Sequence, residues 1–89
     1  MPYYSNDLIK DLNRKIIYQA IRDVASVDQK KRIKSAKWIG SKDYESTVKM
    51  AGWNEEHLTL IFRDLVEQPI GIRKKYVSDV LSGLESLSE

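Results

Sequence analysis

From Asn6 to about Ala25, the residues Leu8, Ile9, Leu12, Ile16, Ile17, Ala20 and Val24 fall on one half of a helical wheel. That period predicts an amphipathic helix, capped by Ser5 or Asn6, with Lys10, Asp11, Arg14, Lys15 and Arg22 toward water. The same period returns four times, each time bounded by a residue suited to starting or stopping a helix. Asp28 is placed to cap a second helix that ends near Gly40, with Arg32, Ile33, Ala36 and Ile39 on one face. Ser41 caps a short third helix with Tyr44, Thr47, Val48 and Ala51 aligned, and Gly52 ends it. Asn54 caps a fourth with Leu58, Ile61, Phe62 and Leu65 inward. Pro69 lacks an amide donor and breaks the chain before a fifth helix, in which Ile72, Tyr76, Val80 and Leu84 recur beside Val77 and Leu87.

No segment alternates apolar and β-branched residues with polar ones around a hairpin turn, so no sheet is expected. With 89 residues, 42% of them hydrophobic and 31% charged, the chain can enclose one core and not two. The expected fold is therefore all-α, a compact bundle of about five helices forming a single domain over residues 1–89. A tail is expected at 1–5, where Tyr3 and Tyr4 could staple the amino terminus to the bundle, and a frayed end at 85–89.

Composition excludes several chemistries. There are no cysteines, hence no disulfide, thiolate nucleophile or iron–sulfur cluster, and His57 alone cannot make a typical zinc site. No Ser, His and Asp set has recognisable catalytic spacing, so no catalytic residue, metal or cofactor is expected and the chain does not read as an enzyme. The first residues lack a basic flank leading into an apolar run, and no stretch approaches the ~20 apolar residues that span a bilayer. A cytoplasmic protein is expected.

The net charge of +2 hides a marked polarity along the chain. From Lys30 to Lys49, seven basic residues face only Asp43 and Glu45; from Asn54 to Gln68, Arg63 alone faces Glu55, Glu56, Asp64 and Glu67. On the second helix Lys30, Lys34 and Lys37 share a side with Lys31 nearby, and Lys42 follows. Such a surface can hold a phosphate backbone. Trp38, close to Lys31 and Lys34 on the wheel, either stacks a base or turns back into the core, as tryptophan more often does.

Residues Tyr44 to Asp64 resemble the helix-turn-helix family: Val48 stands inside the first helix, Gly52 in the turn, and Leu58 and Ile61 would dock the second helix on the first. The resemblance covers about a quarter of the chain and implies a DNA-binding regulator, with Thr59 and Arg63 as candidates for base contact. The run Trp38-Ile39-Gly40-Ser41-Lys42-Asp43-Tyr44, followed by Ala51-Gly52 and a capped helix, is also similar to small helical proteins of bacteriophages and prophages. Against base reading, the helix opens Asn54-Glu55-Glu56, which places two carboxylates where a duplex would lie; the same residues equally complement a helix dipole.

A second function class fits the acidic segment. Glu55, Glu56, Leu60 and Glu67 could dock on a host or partner protein, as an interaction module or inhibitor. Leu60 lies off the inward stripe and is expected beneath the first or last helix. Arg73-Lys74-Lys75 is expected to be solvated. The last helix could pair with a second copy as a homodimer, although packing across the first helix competes for the same stripe.

Overall fold

The computed structural model describes the backbone of residues 6–87 and the side chains of residues 7–84. Five helices follow one another: α1 (Asn6–Val24), α2 (Gln29–Trp38), α3 (Lys42–Ala51), α4 (Glu55–Glu67) and α5 (Ile70–Leu87), and no strand occurs among the described residues. The fold is an all-α bundle. The expected roles of Tyr3, Tyr4 and Ser5 lie outside the described residues. Helix α5 runs to Leu87.

The caps explain where the middle helices begin and end. Asp28 accepts from the Lys30 amide at 2.9 Å, Ser41 from Tyr44 at 3.1 Å and Asn54 from His57 at 2.9 Å, each satisfying a first-turn donor that has no intrahelical partner. Gly52 closes α3 at φ 79°, a left-handed geometry that costs an L side chain energy. A Cβ there would also lie 3.3 Å from the Lys10 Cε. Gly52→Ala should therefore destabilise the fold by about 1–2 kcal/mol, read as a lower Tm in a thermal melt.

The core is Ile17, Ala20, Ile21 and Val24 of α1, Tyr44, Val48 and Ala51 of α3, Leu58, Phe62 and Leu65 of α4, and Leu84 of α5. Helix α1 is its spine, contacted by the other four. Its apolar stripe is turned from the expected one: Ile21 is fully buried, while Leu8, Leu12 and Ile16 are 41%, 50% and 50% exposed. Arg14, expected in water, instead donates to the Ala51 carbonyl at 2.9 Å and stacks over Trp53 at 5.0 Å. Helix α3 thus claims the Arg14 and Ile21 side of α1, and that docking sets the rotation.

Helix α2 also departs from expectation. Ile33 is 46% exposed and Ala36 is exposed, and the buried residue is Ser35, whose hydroxyl donates to the Ala20 carbonyl at 3.2 Å. A small residue at that point lets α2 approach α1 closely, and Trp38 and Ile39 then pack on the core from the end of the helix. On α5 the inward positions are Val77, Val80, Leu81 and Leu84, leaving Ile72 and Tyr76 at 42% and 44% exposure. Arg73 is the reason. Expected in water, it turns inward and donates to the carbonyls of Gln68, Val24 and Val66 at the ends of α4 and α1, which orients the first turns of α5.

Candidate nucleic-acid interface

Helix α2 carries five basic residues and no acidic one within Gln29–Trp38. Taking Ser35 as the inward direction, Lys31, Lys34, Lys30 and Lys37 follow one another round a single flank at about 100° per residue, Lys31 between Ser35 and Trp38 and the other three beyond that packed arc. All four are exposed, as is Lys42 at the start of α3. Among the described residues the one ion pair joins Lys49 to Glu45 at 3.9 Å, so these lysines have no carboxylate partner. Three of the arginines are committed elsewhere: Arg14 and Arg73 as described, and Arg32 to the Ser26 carbonyl at 2.8 Å.

The surroundings show which way this flank opens. A depression between α1 and α2 is lined by Ile16, Ala20, Lys31, Lys34, Lys37 and Trp38. A separate one between α2 and α4 is lined by Ala36, Ile39, Arg63, Val66 and Glu67, with Phe62 beneath. The lysines and the outward side of α4 therefore lie on opposite flanks of α2, and do not make one continuous face. Glu56 lines a third depression, together with Trp53, His57 and Leu84. Trp38 is half-buried and meets the Tyr44 ring edge-on at 5.3 Å, so its ring leans on the core at the edge of the lysine depression.

The α3–α4 pair with its Gly52 turn is formed, but α4 presents a poor reading surface. The Thr59 hydroxyl is engaged with the Tyr44 hydroxyl at 2.9 Å and points at α3. Arg63 is exposed beside Glu67. Glu56 is exposed and Glu55 half-buried in the first turn. Leu60 is uncovered by the described residues, at 60% exposure, contrary to the expected position beneath α1 or α5. Among the described residues no three His, Cys, Asp or Glu side chains converge to hold a metal ion, and no helix is long and apolar enough to cross a membrane.

Tyr44 ties this region to the core. Its ring is fully buried, stands edge-on to Phe62 at 6.0 Å, and its hydroxyl pKa is raised above 10.0, chiefly by burial, lowered in part by the Thr59 hydrogen bond, and raised further by Glu55. Above pH 10 the unfolded chain loses this proton while the folded one retains it, so folding stability should fall as pH rises past 10 toward the folded-state pKa. Tyr44→Phe should flatten that alkaline loss while costing about 1 kcal/mol at neutral pH for the unpaired Thr59, which urea unfolding at pH 7 and above pH 10 would measure.

The arginine contacts escaped the sequence reading because their partners are backbone carbonyls with no identity in a sequence. One signal existed: Arg73 sits just past Pro69, within reach of the carbonyls that end α4. No known protein family, curated protein or solved structure matches the chain.

Proposed function

We propose that the protein is a non-catalytic DNA-binding protein of regulatory type, phage- or prophage-encoded, that holds duplex phosphates with the lysine flank of α2. The observation that carries this reading is the set Lys30, Lys31, Lys34 and Lys37, exposed along one flank of a helix without acidic residues and, among the described residues, unpaired with any carboxylate. Lysines so placed release condensed counterions when they meet a phosphate backbone. Lys42 extends the surface beyond the end of α2. Base reading by α4 is not part of the proposal, because Thr59 is occupied and Arg63 lies on the far flank among carboxylates. Affinity therefore comes from phosphates with little dependence on sequence. A cysteine-free DNA-binding chain suits the reducing cytoplasm.

The test is fluorescence anisotropy of labelled duplexes of unrelated sequence, titrated across salt concentrations. Four neutralised phosphates predict a slope of log K against log salt of roughly −3 to −4, similar for each duplex. Undetectable binding at low salt, or binding indifferent to salt, contradicts the proposal.

A further inference from the structure

Leu60 is flanked on α4 by four exposed charged or titratable residues in a self-complementary order: Glu56 and His57 before it, Arg63 and Asp64 after it. On a helix, Glu56 and Arg63 fall to one side of Leu60, by about 40° and 60°, and His57 and Asp64 to the other, by about 60° and 40°. If a second α4 lies antiparallel across a twofold axis at Leu60, residues on the same side meet when their heights above and below the axis match. Glu56 lies about 6 Å below Leu60 and Arg63 about 4.5 Å above it; His57 and Asp64 stand in the converse relation. Each mismatch is about 1.5 Å, within the reach of these side chains. Glu56 thus faces Arg63 of the second copy and His57 faces its Asp64, each pair made twice.

Leu60 borders a depression, open to solvent, in which Trp53, Leu58 and Leu84 stand beside the polar Asn54, Glu56 and His57. Among the described residues, no ion pair or side-chain hydrogen bond engages Glu56, His57, Arg63 or Asp64 within the chain. We infer that the protein forms a twofold homodimer through antiparallel α4 helices, with Leu60 at the axis and the Glu56–Arg63 and His57–Asp64 pairs on either side. Symmetric closure buries the exposed leucine on both copies at once, as an isologous interface requires. This inference is independent of the DNA reading, since the lysines and Arg63 line separate depressions on the two flanks of α2.

Sedimentation equilibrium tests it. The wild type should approach twice the 10.3 kDa chain mass as concentration rises. Leu60→Glu, at an exposed position, should keep its helical circular dichroism and raise the dimer Kd at least about 100-fold. Glu56→Arg should do likewise by facing Arg63, and the double variant Glu56→Arg/Arg63→Glu should restore the dimer, which a purely local role for either residue would not do. Because the chain has no cysteine, Leu60→Cys should cross-link under mild oxidation faster than Val27→Cys, which is exposed in the α1–α2 loop. A wild-type mass that stays at one chain up to about 0.5 mM, a dimer that persists in Leu60→Glu, or a double variant that stays monomeric overturns the inference. Lys34→Glu/Lys37→Glu should dimerise normally, so loss of DNA binding and loss of the dimer remain separable.

Discussion

Arg73→Met is expected to destabilise the fold by about 3 kcal/mol, lowering Tm by roughly 12–24 °C for a domain of this size. The half-buried guanidinium donates to the Gln68 carbonyl at 2.8 Å, the Val24 carbonyl at 2.9 Å and the Val66 carbonyl. The last carbonyls of a helix have no intrahelical partner and carry the negative end of its dipole, so one cation satisfies two helix ends together. Methionine retains the apolar stem and removes the donors, which isolates this effect from packing. Water can reach part of the site and recover some of the loss, which therefore stays below the sum of three charged hydrogen bonds. The exposed neighbour Lys74 provides the control, and Lys74→Met should change stability by no more than about 0.5 kcal/mol. A loss for Arg73→Met as small as that control would mean the carbonyls are hydrated instead of capped by arginine.

The elements were readable because their ends carry local chemistry. Asp28, Ser41 and Asn54 cap as their residue types suggest, and Gly40 and Gly52 adopt positive φ at 88° and 79°. The apolar triads of α3 and α4 were readable too, since each helix buries one narrow stripe. Rotation was not. In α1 the apolar residues cover so wide an arc that the period alone cannot choose between Leu12 and Ile21; the choice depends on where α3 docks. In α2, Ile33 looked like the inward residue, but close approach to Ala20 favoured Ser35. The lysine flank was legible from spacing within one helix. Its separation from Arg63 was not, because it depends on which neighbours stand on each side of α2.

The second large effect concerns binding. Lys34→Glu/Lys37→Glu replaces two phosphate contacts with two repulsions, and the affinity for a DNA duplex should fall roughly 100-fold at low salt. Both side chains are exposed and unpaired, so the variant should melt close to the wild type, which separates lost binding from lost folding. The milder exchange Lys34→Gln/Lys37→Gln should reduce the magnitude of the salt slope by about 2, one per lysine removed.

Arg63 distinguishes contact with DNA through α2 from contact through α4. The salt slope of duplex binding, measured side by side for Lys34→Gln/Lys37→Gln and for Arg63→Gln, tests this most directly. Contact through α2 predicts a slope reduced by about 2 in the lysine variant and essentially unchanged in Arg63→Gln. A slope that holds in the lysine variant and falls in Arg63→Gln would contradict it and return the binding surface to α4.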